Sequence, residues 1–553
     1  MQIIIPMSGS GQRFLDAGYN MPKSLISVRG KPVIAHVIDM FDAEEDEFIF
    51  ICSNTHLEET NMRATLGRHC PNGRIIGIDP HKLGPVHAVR MAYEYIRNEE
   101  PAIVNYCDFT CYWDYRHFKE WLQRVQPEGC IPAYRGFHPH SLGSTNYAFI
   151  KESKGRVEQI QEKQPFTENK MAEFASSGTY YFSQGRTLKY YLDKAVENDL
   201  SVNGEYYCSL PFNLMINDAL TVKVYELQHF MQWGTPADLE EFINWSDIFE
   251  KMCKKDSGVV ERLAPGSTLV PLAGKGSRFK SAGYKKIKPL LNVSGKEMVV
   301  QATHSLPKTK KYQFAVLEET ALSSDVLQRL RREFPNSGFT TIKEVLPGQA
   351  CSCLEAIECI DKSQYLTISA CDHSVMYDSD ALDALLKEQD PDIIIWTKSG
   401  HAGAIRNPEM YGWVDTDGVN VTRVSVKSPL SSPGTDQLLI GTFTFKSAGI
   451  FAESTNSMIS RGGAINDEYY IDNAINDALA SGLRCVIFEV DHYICWGTPD
   501  ELKTFEYWQS CFHKWTSHPY SWDKDIWRYY ESEMPHHLSK LLPDVDGYLK
   551  EVA

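Results

Sequence analysis

The chain has 553 residues, more than one hydrophobic core normally organises, so two domains are expected. Hydrophobic residues make up 43% and charged residues 23%, as in an ordinary globular protein, while a formal net charge of −16 excludes the broad basic surface of a nucleic-acid binder. No apolar run approaches the roughly 20 residues that would span a bilayer.

The opening MQIIIPMSGSGQRF lacks the basic start and long apolar run of a signal peptide. The 14 cysteines are scattered without CxxC spacing and read as small core residues. A soluble, cytoplasmic protein is expected.

In chain order, Ile3-Ile4-Ile5-Pro6 predicts a buried strand that feeds a loop holding Gly9, Ser10 and Gly11. Glycines suit backbone pressed against a ligand, and successive N–H groups in such a loop form a concavity for phosphate. Arg13 adds a cationic donor fork, and Lys23 adds a mobile point charge. LISVRGKPVIAHVIDMF (25–41) passes through a Gly30-Lys31-Pro32 turn into helical periodicity, and EFIFICSN (47–54) reads as a buried strand. Gly84 marks a turn opening a helix, and the run Ala102–Tyr106 ends at Cys107-Asp108. Strand alternating with helix predicts an α/β fold with a mostly parallel sheet and ligands at the strands' carboxyl ends. The glycine loop and Asp108 both fall at such ends, although an Asp there also serves ordinary turns and caps.

The second half writes the same order again. Pro6–Lys31 and Pro271–Lys296 agree at 13 of 26 positions, including Gly9/Gly274, Gly11/Gly276, Arg13/Arg278 and Lys23/Lys288. Gly84 then pairs with Gly348, Asp108 with Asp372 and Lys163 with Lys427, all at an offset of 264. Ser177-Gly178-Thr179-Tyr180 matches Ile440-Gly441-Thr442-Phe443, and Asn203-Gly204-Glu205-Tyr206-Tyr207 matches Asn466-Asp467-Glu468-Tyr469-Tyr470. Trp233-Gly234-Thr235-Pro236 matches Trp496-Gly497-Thr498-Pro499. A drift of two residues over this distance means a duplicated domain. The expected division is 1–255, a polar, turn-prone linker over 256–266, and 267–553 with an aromatic-rich tail. That tail predicts an amphipathic helix or a dimer face, hence a possible homo-oligomer.

The twice-written G-x-G-x-R…K pattern resembles the signature of nucleotidyltransferases that activate sugar phosphates and related phosphates. The tandem form resembles two-domain proteins of bacterial capsule and surface-polysaccharide synthesis. The resemblance implies two Rossmann-like domains, each a mostly parallel mixed sheet flanked by helices. It implies transfer from a nucleoside triphosphate to a sugar phosphate or alcohol phosphate, with Mg²⁺ as cofactor. Carried over by residue, Arg13 and Arg278 would hold the β- and γ-phosphates, and Lys23 and Lys288 would bridge the α-phosphate and the acceptor. Gly9, Ser10, Gly11 and Gly84, with Gly274, Lys275, Gly276, Gly348 and Gln349, would line the nucleotide sites. Lys163, Gly178 and Glu205, with Lys427, Gly441 and Glu468, would face the acceptors, although each glutamate suits a structural salt bridge equally well. Asp108 and Asp372 would be the first metal ligands.

The chain departs from the family where a second metal-binding Asp is expected, since Gln232 and Cys495 stand there. Asp491, four residues before Cys495, falls on the same strand face and is the expected substitute, whereas the first half has Gln228. Ile287 replaces Pro22, and His138-Pro139-His140 lacks further ligands at zinc spacing. STNY (144–147) in one half against MYGW (410–413) in the other implies different acceptors. Three alternatives stay open: a cytidylyltransferase for a polyol or amino-alcohol phosphate, one catalytic half beside a regulatory half, and a non-catalytic scaffold for capsule enzymes.

Overall fold

The opening apolar run forms β1 (Gln2–Met7), all of it buried, which is why it carries no polar alternation. In this computed structural model every residue is described except 144–145, 255–262, 529–532 and 540–553. Most of the expected linker therefore lies outside the described residues, as do Ser144 and Thr145. The chain divides into two compact units: Met1–Asp247 with Tyr507–Pro519 and His536–Ala553, and Ile248–Glu506 with Tyr520–Pro535.

The first unit's sheet continues with β2 (Glu47–Ser53), β3 (Arg74–Ile78), β4 (Ala102–Asn105), β5 (Gly129–Tyr134), β6 (Ala148–Ser153), β7 (Arg156–Glu162), β8 (Phe174–Ser176), β9 (Thr179–Phe182) and β10 (Val222–Leu227). Their order is β8-β6-β7-β10-β5-β9-β4-β1-β2-β3. Pairings of β1 with β2 and β4, β2 with β3, and β5 with β10 are parallel, whereas β9 runs antiparallel to both β4 and β5. Apolar clusters cover both faces, one around Ile3, Phe48 and Phe118, the other around Ile4, Val86 and Phe212.

The second unit repeats this sheet with β11 (Ser267–Leu272), β12 (Lys311–Leu317), β13 (Ser337–Ile342), β14 (Leu366–Ser369), β15 (Ile393–Lys398), β16 (Gly412–Asp417), β17 (Asn420–Val426), β18 (Gln437–Phe445) and β19 (Cys485–Glu489). The order β13-β12-β11-β14-β18-β15-β19-β17-β16 is that of the first unit element for element, with β18 standing for β8 and β9 joined. Each unit is thus the α/β, mixed-sheet domain that the sequence predicts.

Beyond β4 and β14 each unit adds a short two-stranded antiparallel ribbon. Phe109–Tyr112 pairs with His229–Gln232, and His373–Met376 pairs with His492–Cys495. These ribbons bring the Gly-Thr-Pro turns back, so that Trp233 N–H donates to the Asp108 carbonyl at 3.0 Å and Trp496 N–H to that of Asp372 at 2.8 Å.

The aromatic tail is only partly the expected helix. One helix, Pro499–Lys514, is followed by a 3-10 turn at Trp522–Lys524. Trp508, Phe512, Tyr520 and Trp522 are buried within their own units, which removes them as an exposed dimer face. Among the described residues no helix is long and apolar enough to cross a membrane.

Candidate active site

Each glycine loop leaves the end of its central strand and turns into a short helix. Gly11 and Gly276 start those helices at φ 65° and 59°, a left-handed conformation that a side chain would strain. A 3-10 turn follows in each unit, Lys23–Leu25 and Lys288–Leu290, and sets its lysine under the loop. Lys23 Nζ donates to Asp108 Oδ2 at 2.7 Å, across 85 residues of chain. Lys288 Nζ binds Asp372 Oδ2 and also donates to the Gly497 carbonyl at 3.2 Å.

Burial alone would pull both lysines down, but the aspartates outweigh it and hold both above their usual value. Burial likewise pushes Asp372 up, yet Lys288 and His373 hold it well below the usual carboxylate range. Both lysines and Asp372 stay ionised across neutral pH.

A cavity of about 300 Å³ opens over the first pair, lined among others by Gly9, Ser10, Lys23, Gly84, Asp108 and Glu205. Another of about 300 Å³ opens over the second, with Gly274, Gly276, Lys288, Gly348, Gln349 and Asp372 in its wall and Glu468 at its edge. Gly84 and Gly348 are required by geometry. At φ 84° a Cβ on Gly84 would stand 2.7 Å from both the amide nitrogen and the carbonyl oxygen of Tyr206, and Gly348 meets Tyr469 in the same way. The two turns are locked onto the loops carrying Glu205 and Glu468. The lock is made by Tyr206 N–H to the Leu83 carbonyl at 3.0 Å and by Tyr469 N–H to the Pro347 carbonyl at 2.9 Å.

Lys163 and Lys427 both sit in the left-handed region, at φ 61° and 57°. Each donates to a tyrosine that the motif matching left unassigned, Lys163 to Tyr207 at 2.9 Å and Lys427 to Tyr470 at 2.6 Å. Those hydroxyls in turn donate to Glu205 and Glu468. Gly178 lies against the Tyr106 ring, where a Cβ would come within 2.9 Å, and Gly441 has φ 78°. Arg13, Lys275 and Arg278 are exposed beside the pockets and do not line them.

The structure does not bring Asp491 to this site. It lies exposed, one residue before the strand His492–Cys495, and pairing of His492 with Met376 puts it at the far end from Asp372. Four residues of strand span about 13 Å, so sharing a face with Cys495 does not mean sharing its neighbours. The carboxylate that does arrive is Glu501, three residues after Thr498. Asp372 Oδ2 and Glu501 Oε2 lie 3.3 and 3.4 Å from where a Cβ on Gly497 would stand. Glu501 also accepts from Thr498 N–H at 2.9 Å and from Tyr411 Oη at 2.5 Å. In the first unit the same point, at Gly234, meets Asp108 Oδ2 at 2.9 Å and the Gln232 amide nitrogen at 2.8 Å. In sequence the Thr-x-x-Glu spacing reads as an ordinary helix cap, so it did not mark Glu501 as a site residue.

Lys163 and Lys427 also have half-buried carboxylate neighbours that come from different elements. In the first unit this is Glu162 on β7, hydrogen-bonded to Ser209; in the second, β17 has Val426 and the helix Ile471–Ala480 supplies Asp472. Burial raises the Glu162 carboxyl, and burial, opposed by Lys427, pushes Asp472 up to about 6. A carboxyl raised on folding stabilises fully below its unfolded value and loses that contribution as pH rises through its folded value. Asp472→Asn is therefore expected to stabilise the protein at about pH 7.5 by about 1 kcal/mol. The gain should vanish near pH 4, and denaturant unfolding at both pH values checks it; a pH-independent gain contradicts the assignment.

Against known families, the one described as nucleotidyl transferase matches residues 2–223, which include the first glycine loop, Lys23 and Asp108. A curated relative, the bifunctional protein GlmU of Staphylococcus epidermidis, is 27% identical over 232 residues, 41% of this chain and 48% of the relative. GlmU of Clostridioides difficile is 27% identical over 225 residues, 40% and 45% of the two chains. The chain thus spans about half the length of the curated relatives it matches. A nucleoside-diphosphate-sugar pyrophosphorylase of Vibrio cholerae aligns with TM-score 0.36 at 20% identity, over 44% of this chain and 99% of that one. The CTP:phosphocholine cytidylyltransferase of Streptococcus pneumoniae aligns with TM-score 0.33 at 19% identity, over 44% and 97%. The matched segment places Lys23 and Asp108 together at the carboxyl end of its sheet, and the second unit repeats that placement with Lys288 and Asp372.

Proposed function

We propose that the chain is a tandem nucleotidyltransferase, with domains over 1–255 and 267–553. It transfers a nucleotidyl group from a nucleoside triphosphate to a sugar 1-phosphate or related phosphate and releases pyrophosphate. The observation that carries this reading is the buried lysine–aspartate pair beneath a glycine loop, built twice over pockets of equal size. The tandem arrangement points to a cytoplasmic enzyme supplying an activated precursor for a capsule or other surface polysaccharide.

Nucleotidyl transfer needs positioning and neutralisation of phosphate charge more than covalent help. Lys23 and Lys288 stay protonated at the pocket floor, where the α-phosphate and the attacking phosphate oxygen would meet. The glycine-loop N–H groups would face the leaving pyrophosphate, and Arg13 or Arg278 would reach it from the exposed rim. Lys163 and Lys427 face the acceptor phosphate. In the second unit two carboxylates, Asp372 and Glu501, converge on the space over Gly497, a donor set that fits a hard divalent cation. Mg²⁺ held there would neutralise charge on the triphosphate. Cys495 Sγ lies 3.4 Å from the same point, and a soft sulfur donor does not suit Mg²⁺. In the first unit the Asp108 carboxylate stands at that point beside the Gln232 amide.

A second reading, two unlike sites with one regulatory, is favoured by the pocket walls. In the first unit Ser8 Oγ lies 3.3 Å from His81 Nε2, while His81 Nδ1 accepts from Leu83 N–H at 3.2 Å, so the neutral ring donates to the serine. At these two positions the second unit has Ala273 and Val345. The double variant Ser8→Ala/His81→Val gives the first pocket the second's apolar wall. It is expected to shift nucleotide affinity there about tenfold, read by competition among the four triphosphates. An unchanged ranking would count against unlike nucleotides. The reaction itself is tested by incubating the chain with Mg²⁺, each triphosphate and a panel of sugar 1-phosphates and alcohol phosphates, and weighing the products. A nucleoside-diphosphate-linked product supports transfer and names the acceptor, a CDP-alcohol included. Nucleotide binding without product supports the scaffold alternative.

A further inference from the structure

We infer that Tyr207 and Tyr470 are positioning residues that hold the acceptor-side lysines, Lys163 and Lys427, ready for a phosphate. The inference rests on the proposed transfer to a phosphate acceptor. The same arrangement is built twice from segments about 44 residues apart in sequence, Lys163 with Tyr207 and Lys427 with Tyr470. In each unit the hydroxyl accepts from the lysine and donates to Glu205 or Glu468, so lysine and glutamate are joined through the ring. The ammonium also stands over the ring face, 4.9 Å from its centroid in the first unit and 4.6 Å in the second.

Three further features show that the tyrosine is fixed before any ligand arrives. Its preceding residue, Tyr206 or Tyr469, is locked by backbone hydrogen bonds to the Gly84 or Gly348 turn. The loop is pinned by bridges between Val202 and Glu205 and between Ile465 and Glu468. The lysine approaches from a left-handed backbone whose N–H donates to the Tyr147 carbonyl at 2.8 Å, or to that of Tyr411 at 2.9 Å. Backbone strain of this kind, repeated at one position in both units, marks a side chain whose direction matters.

A lysine stem loses much rotamer freedom when its head is fixed, and a tyrosine that fixes it in the free protein removes that cost from acceptor binding. The tyrosine contributes no proton to the reaction and needs no direct contact with the reacting phosphorus. Its loss should weaken acceptor binding and leave the chemical step intact.

The test uses the full chain carrying Tyr207→Phe or Tyr470→Phe, each keeping the ring and losing the hydroxyl. Amine-labelling rates of Lys163 and Lys427, mapped by peptide mass spectrometry, report lysine immobilisation without reference to activity. The phenylalanine variant is expected to label its own lysine about threefold faster and the other unit's lysine at the wild-type rate. Steady-state kinetics should show the acceptor KM raised about tenfold, with kcat within about twofold and nucleotide KM unchanged. Unchanged labelling, or a kcat loss matching the KM change, overturns the assignment. If the wild-type chain turns over no phosphate acceptor, the functional reading fails, and the labelling result alone decides whether the tyrosine holds the lysine.

Discussion

Lys288→Ala is expected to lower nucleotidyl transfer by the second unit about a thousandfold, and Lys23→Ala to do the same in the first. Each lysine is the cation nearest the pocket floor, and each is ion-paired to the aspartate that closes the central strand's neighbour. Removing the ammonium takes charge away from where charge develops during transfer, and no other group in the wall replaces it at that point. It also leaves a largely buried carboxylate without its partner, a structural cost of about 1–3 kcal/mol. In the second unit this cost has a pH signature. Asp372 is held low by Lys288, so the pair stabilises above the carboxyl's unfolded value, and that contribution is lost as pH falls through the folded value. In Lys288→Ala this acid-side loss should disappear. Steady-state rates with each variant, together with unfolding at about pH 2.5 and 7, check both parts.

Gly348→Ala, and Gly84→Ala in the first unit, should each give a large loss of stability for a small change in volume. The added methyl would meet peptide backbone, the Tyr469 amide and carbonyl or those of Tyr206, and cannot be accommodated by turning a side chain. The backbone at φ 102° and 84° is also one that alanine resists. Clash and strain together are expected to cost about 2–4 kcal/mol and to separate the nucleotide turn from the loop carrying Tyr470 or Tyr207. Denaturant unfolding of each variant measures this. A loss below about 1 kcal/mol would mean the two loops are not locked as described.

The parts of this arrangement that depend on backbone were legible in the sequence. Buried strands read as apolar runs, and the glycines that open Gln12–Asp16 and Pro85–Arg90 are demanded by dihedral angles that leave a mark in residue type. The duplication made Lys23 and Asp108 visible as a pair before any geometry was known. Contacts between side chains from distant segments were not legible. Asp491 has the right face parity but the wrong end of the strand, and period-2 alternation carries no information about distance along it. Glu501 was hidden because its spacing from Thr498 already has an explanation as a helix cap. Tyr207 lay inside a matched motif, but a tyrosine in a half-buried loop looks the same in sequence whether it packs or holds a lysine. The exchange of Glu162 for Asp472 was invisible to position-by-position matching, because the carboxylate moved from strand to helix while keeping its place in space.

The most direct test of the account is pyrophosphate release by the wild-type chain and by the Lys23→Ala/Lys288→Ala double variant. Both would be assayed with Mg²⁺ across all four nucleoside triphosphates and the phosphate-acceptor panel. The account predicts release by the wild type with at least one pair of substrates and its loss in the double variant, with each single variant silencing one unit. Release undiminished in the double variant would contradict it.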